Sequence, residues 1–155
     1  MSSMSKLEVL INDINENIAF FERRKEKNKK RAYKLKLASI ISSALVTLFL
    51  GFKAVNLNLF SNIALIFASL MTVFNGIEGF YNHRGLWYKD IRTLASLKQL
   101  KRDIDFNIAG EQKENISIEL LTEYKNRLQN ILTEDVNTWS KIRENLEQAQ
   151  TVDKN

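Results

Sequence analysis

Two long stretches without a charge dominate this sequence: Leu37–Phe52, reading LASIISSALVTLFLGF, and, beyond the lone Lys53, Ala54–Ile77. A helix rises about 1.5 Å per residue, so roughly 20 apolar residues cross a hydrocarbon core about 30 Å thick. The second stretch is long enough. The first has 16 uncharged residues and spans if Lys36 and Lys53 lay their stems along the core and carry their ammonium groups to the interfaces. The polar connection Lys53–Asn58 is too short to carry the chain back across a bilayer. Two antiparallel neighbouring spans, about 37–53 and 59–78, are therefore expected.

The rest of the composition points the same way. The 155 residues include no cysteine, no proline and five glycines, which excludes disulfides and thiolate sites and removes most of the punctuation of a β-rich fold. The formal net charge of +5 is informative through its placement. Nine Lys or Arg against one Glu fill Arg23–Lys36, and Arg84, Lys89, Arg92, Lys98, Lys101 and Arg102 follow the second stretch, while the connection holds only Lys53. By the positive-inside rule both termini are expected in the cytoplasm and the connection on the opposite face, in the periplasm or its equivalent. Tyr33, Phe80, Tyr81, Trp87 and Tyr88 sit near that boundary, where amphipathic rings are favoured. The apolar run begins only at residue 37 and lacks a small-residue cleavage pattern, so an uncleaved protein is expected.

Small residues recur every fourth position in each span: Ser39, Ser43, Thr47 and Gly51 in the first, Ala64, Ala68, Thr72 and Gly76 in the second. Helices in lipid associate through close approach at such residues and through hydroxyl hydrogen bonds. An antiparallel hairpin would bring Gly51 near Ala64 and Ser39 near Gly76. The stripes have two readings. They pack the hairpin on itself or on another copy, or part of them lines a watery path, to which Asn75 and Glu78 would add polar groups.

The flanks read as amphipathic helices. Leu7, Ile11, Ile14, Ile18 and Phe21 form a heptad seam. Trp87, Ile91, Leu94, Leu97, Leu100 and Ile104 give one apolar face, Gly110 interrupts, and a last helix from about Ser117 carries Leu121, Tyr124, Leu128, Ile131, Leu132, Val136, Trp139, Ile142 and Leu146. The expected fold is all-α: residues 1–36 a basic amphipathic helix, 37–79 the transmembrane hairpin, 80–147 a helical pair, and 148–155 a polar tail that frays. The amphipathic helices bury their stripes in a bundle within one chain or between copies, so a homo-oligomer is one expected outcome.

Catalytic signals are missing. His83 is the only histidine, the carboxylates lie scattered on expected helix surfaces, and Gly76, Gly79 and Gly85 match no phosphate-binding loop. No catalytic residue, metal ligand or cofactor is expected. The basic segment next to a span is better suited to anionic lipid headgroups than to nucleic acid.

The order of basic helix, two-span hairpin and the segment YNHRGLWYKDIRTLASLK from Tyr81 to Lys98, with a late Trp139, resembles the SLATT family of bacterial two-transmembrane effectors. Arg84, Trp87, Arg92, Ala95, Leu97 and Lys98 match its pattern after the second span, and Ser96 stands where an acidic residue is common. The resemblance implies a membrane effector of a nucleotide-signalled antiviral defence system, which oligomerises to permeabilise or disrupt the inner membrane in abortive infection. It also implies a second messenger or activating protein as partner. Arg84, Arg92 and Lys98 then become candidates for anionic-ligand or partner contact, with Trp87 a stacking surface; their alternative role is anchoring and packing. The competing functional reading is a non-lytic membrane scaffold that recruits a cytoplasmic partner.

Overall fold

The computed structural model describes residues 5–52, 57–109 and 116–152. Among these residues the fold is all-α, with α1 Lys6–Gly51, α2 Leu57–Tyr81, α3 His83–Asn107 and α4 Ile118–Val152. Of the expected connection Lys53–Asn58, residues 53–56 lie outside the described residues, as does the break at Gly110, while Leu57 and Asn58 already belong to α2.

Local chemistry sets the helix starts. Ser5 and Glu8 form a reciprocal capping box: the Glu8 amide donates to Ser5 Oγ at 3.2 Å and the Ser5 amide to Glu8 Oε2 at 3.1 Å. Ser117 Oγ accepts from the Leu120 amide at 3.2 Å and caps α4. The boundary expected at residue 36 is no structural break. α1 is one helix of 46 residues, about 69 Å long, because neither glycine nor proline occurs before Gly51. Likewise α4 continues past Gln148 to Val152, since nothing after Leu146 stops a helix.

The chain divides into two compact units, Met1–Glu26 with Leu86–Asn155, and Lys27–Gly85. The first is a three-helix bundle. Leu7, Leu10, Ile14 and Phe21 of α1, Leu94, Leu97, Leu100 and Ile104 of α3, and Ile116, Tyr124 and Leu128 in and just before α4 form its core. Polar contacts fix the directions. Asn15 receives a bond from Lys101 and Asp90 one from Arg24, while Asp103 pairs with Arg127 and Asn107 with Tyr124. α3 therefore runs antiparallel to both α1 and α4.

In the second unit the C-terminal part of α1 packs antiparallel on α2. Ser39 Oγ donates to Asn75 Oδ1 at 2.9 Å, and Phe49 stacks on Phe60 and Phe67 at centroid distances of 6.1 and 5.8 Å. Ser39, Ser42 and Ala64 are buried here. The most apolar 18-residue windows, in Lys6–Gly51 and in Asn58–Asn107, have mean hydropathies of 1.5 and 1.7 yet are only 11% and 6% buried. Ile40, Leu48, Leu65, Ile66 and Val73 lie open. These two helices are long and apolar enough to cross a membrane.

Leu97 is fully buried (0% exposed) and Ala95 of the same helix is exposed. Leu97→Ala is expected to cost about 2–5 kcal/mol, whereas Ala95→Ser stays within about 0.5 kcal/mol. Thermal unfolding of the detergent-solubilised full chain, followed by circular dichroism, checks the contrast.

Candidate functional site

Each helix of the bundle brings charge into the core. One turn past Phe21, Arg24 continues the apolar seam of α1. Its Nε and Nη2 donate to Asp90 Oδ1 of α3 at 2.8 and 2.5 Å, and Nη2 lies 3.2 Å from Asp135 Oδ2 of α4. Lys89 Nζ donates to Asp135 Oδ1 and stands 3.4 Å from Asp90 Oδ1. Thr93 Oγ1 donates to Asp135 Oδ1 at 2.8 Å. Side-chain exposure is 3% for Lys89, 0% for Asp90, 8% for Asp135 and 31% for Arg24. Two cations and two anions thus form a neutral cluster, floored by Phe21, whose ring centroid is 4.6 Å from the Arg24 guanidinium carbon.

The electrostatics follow from that geometry. Burial pushes the Asp135 carboxyl upward, but bonds from Lys89 and Thr93 and the charges of Lys89 and Arg24 outweigh it and hold the group below its ordinary 3.8. Burial likewise works against the charged Arg24, and Asp90 and Asp135 more than compensate, raising it above its ordinary value. Such a cluster stabilises little relative to an apolar core, but splitting it strands a buried charge. It acts as a register lock for three helices.

These acids are where the sequence reading needs correction. The carboxylates are not all on helix surfaces: Asp90 and Asp135 face inward, while their apolar neighbours Ile91 (39% exposed) and Val136 (60% exposed) face outward. The signal was present, since Asp90 stands four residues before Leu94 and Asp135 four after Ile131, on each helix's apolar repeat.

Of the motif residues of α3, Arg84, Arg92, Ala95 and Lys98 face outward and Trp87 is half-buried, whereas Leu97 points inward. Leu97 is core and cannot touch a ligand from outside. Arg92 is exposed and 3.7 Å from Glu134, and Lys98 bonds Glu22 at 2.6 Å, lowering the Glu22 carboxyl through that bond. Ala95 and Arg84 are exposed. Trp87 is half-buried and stacks on Tyr88, with centroids 5.0 Å apart. Trp139 is 47% exposed, with the Arg143 guanidinium 5.9 Å from its centroid.

In the hairpin, the expected register is close, with Ser39 meeting Asn75, the neighbour of Gly76. The glycines, however, make no close approach: a Cβ at Gly51 or Gly76 would meet nothing within 4 Å. A step of four residues rotates about 40° beyond a full turn, so a strict every-fourth stripe leaves the contact face within three steps. Ser43, Thr47 and Thr72 are exposed and Ala68 half-buried. Thr47 and Thr72 return their hydroxyl protons to the carbonyls of Ser43 and Ala68.

A second polar arrangement joins α2 to α3 at Asn82. Its φ of 48° is left-handed, a conformation that asparagine tolerates better than most residues. Its amide donates to the Glu78 carbonyl at 2.7 Å, closing α2. Its Oδ1 accepts from the Gly85 amide at 2.9 Å, opening α3. A Cβ at 85 would lie 2.5 Å from Asn82 Nδ2, so any larger residue there would push the capping side chain aside. Among the described residues no group of three or more His, Cys, Asp or Glu is placed to hold a metal ion.

Lys89→Met is expected to cost about 3–5 kcal/mol by stranding buried carboxylate charge, and Lys98→Ala, at an exposed pair, under about 1 kcal/mol. Thermal unfolding in detergent separates them. The Asp135 contribution is complete above its ordinary value of 3.8 and is lost as pH falls through its depressed native value. Asp135→Asn is therefore expected to flatten the acid limb of a stability profile measured by denaturant titration.

Neither the curated proteins nor the solved structures contain a match to this chain. Residues 16–103, more than half of the chain, match the family described as "Protein of unknown function (DUF4231)". That segment contains Arg24, Lys89 and Asp90, both apolar helical stretches and the Asn82 turn, and the chain belongs to the DUF4231 family.

Proposed function

We propose that this protein is a non-catalytic effector of the bacterial inner membrane, with both termini cytoplasmic, which assembles on activation and permeabilises or disrupts the bilayer in antiviral, abortive-infection-type defence. The observation that carries the reading is the pair of apolar helical windows with only 11% and 6% of their residues buried. In water such surface would drive aggregation, whereas in lipid a helix satisfies its own backbone and exposes hydrocarbon at no cost. Lys27, Lys29, Lys30, Arg31, Lys34 and Lys36 are all exposed, and each contributes about 1 kcal/mol at an anionic membrane surface.

The assembly step draws on the resemblance of the Arg84–Lys98 segment to the SLATT family and on the outward faces of the spans. Ser43, Thr47, Gly51, Thr72 and Gly76 are exposed in the single chain and offer small, polar surface to another copy. A nucleotide second messenger or an activating protein would shift the equilibrium only through tighter binding to the assembled arrangement. The buried charge cluster supplies a register that resists partial rearrangement until that binding energy is available. The alternative reading, a non-lytic scaffold, is favoured by Val136 and Trp139, 60% and 47% exposed on α4, which fit a docking face for a protein partner.

Reconstitution into anionic liposomes loaded with dye tests the proposal. Release on addition of cyclic di- or trinucleotides, reduced at least several-fold by Thr47→Leu with Thr72→Leu, is the expected result. Intact vesicles under every nucleotide, together with co-purification of a stoichiometric protein partner, would establish the scaffold instead.

A further inference from the structure

Two contacts fix the register of the apolar hairpin, and together they measure its height. Near one end Ser39 Oγ donates to Asn75 Oδ1 at 2.9 Å. Three residues outward from each lie Lys36, which is exposed, and Glu78, so in antiparallel helices the two charges stand level and draw one edge. Towards the other end Phe49 stacks on both Phe60 and Phe67, which places it level with Ile63 and Ala64, midway between them. Gly51, the last residue of α1, then comes level with Ser61 and Asn62. Asn58 and Asn62 are exposed, and with Lys53 of the connection they draw the second edge.

Between the edges no residue is charged, and the only amide side chain, Asn75, is bonded across the hairpin. The exposed hydroxyls of Thr47, Ser69 and Thr72 are turned back onto carbonyls of their own helices. The belt runs from Leu37 to Gly51 on α1 and from Ile63 to Ile77 on α2, and each arm rises about 21 Å. An ordinary hydrocarbon core is about 30 Å thick. The hairpin is therefore short by roughly 9 Å.

Its edges cannot make up that difference. Lys36 can extend its stem towards the headgroups, but Glu78 has no such reach, because its Oε1 is tied to the Arg84 amide at 3.0 Å. Its Oε2 is buried without a hydrogen-bond partner among the described residues, so sinking it into lipid would add to a desolvation cost already present. Asn58 and Asn62 have stems too short to climb out of the core. Tilting would lower the belt further. Two responses to a short span remain: thinning of the surrounding lipid, and association, which shares the thinned zone between copies.

We propose that the apolar belt is fitted to a hydrocarbon core of about 21 Å, the kind that phospholipids with short acyl chains provide, and that in a core of ordinary thickness the mismatch draws hairpins of separate copies together. Bilayer thickness then regulates assembly before any activator binds. The inference rests on the transmembrane reading and deepens the assembly step of the proposed function.

Full-length protein carrying a donor or an acceptor dye at its N-terminus, reconstituted without nucleotide into dimyristoleoyl, dioleoyl and dierucoyl phosphatidylcholine vesicles, provides the test. Energy transfer between copies is expected to be lowest in the thin dimyristoleoyl bilayer and to rise at least several-fold towards the thick dierucoyl one. Asn58→Leu with Asn62→Leu, which continues the α2 belt towards Leu57 by about 9 Å, should move the minimum towards dioleoyl. If that variant fails to fold, deuterium NMR of chain-deuterated lipid carries the test with the unaltered protein, which should lower acyl-chain order in dioleoyl vesicles and leave it unchanged in dimyristoleoyl. Retention after an alkaline carbonate wash reports insertion separately. Inserted protein whose energy transfer ignores bilayer thickness overturns this proposal alone, whereas protein washed from all three vesicles overturns the transmembrane reading and the proposal with it.

Discussion

The bundle depends on one arrangement: two buried carboxylates held by a lysine and an arginine from neighbouring helices. An isolated carboxylate in that position would give up its charge or expel its helix from the core. Asp90 and Asp135 do neither, because Arg24 and Lys89 reach both of them and Thr93 adds a neutral donor. Every member needs the others. A slide of one helix by a single turn, about 5.4 Å, would leave apolar residues in acceptable contact but would break the cluster. The apolar contacts supply cohesion, and the cluster decides the register.

The same economy of partners governs the α2–α3 turn. Asn82 ends one helix through its left-handed backbone and begins the next through its side chain, and Gly85 leaves room for that side chain. Glu78 contributes a carbonyl and one carboxylate oxygen to the same few residues. Glu78 Oε2 and His83 Nδ1, the two buried side-chain atoms without a hydrogen-bond partner among the described residues, both belong to this turn.

Much of the fold was legible in the residues. The seam Leu7, Ile14 and Phe21 is buried as its heptad spacing implies, and Leu94, Leu97, Leu100 and Ile104 form the facing stripe. The Ser117 start of α4 carries its cap. Sorting residues by polarity alone misplaces two pairs. Ile91 and Val136, inward by that rule, face outward, and the adjacent acids Asp90 and Asp135 face inward. Nor is a recurrence of small residues at every fourth position one face, because a helix of 3.6 residues per turn rotates it away from its neighbour. The hairpin instead closes on Ser39, Ser42 and Ala64 with a stack of phenylalanines.

What the sequence determined by itself is local: helical segments, two of them apolar enough to cross a membrane, and a flank rich in cations. Helix formation satisfies the backbone within each segment, and hydropathy is a property of consecutive side chains, so neither needs a partner elsewhere in the chain. Only the tertiary structure decided which cations meet the buried acids. Arg24 meets Asp90 across 66 positions and Asp135 across 111, and the cost of burying an acid is offset only where such distant cations arrive with the right geometry. No window along the chain contains that information.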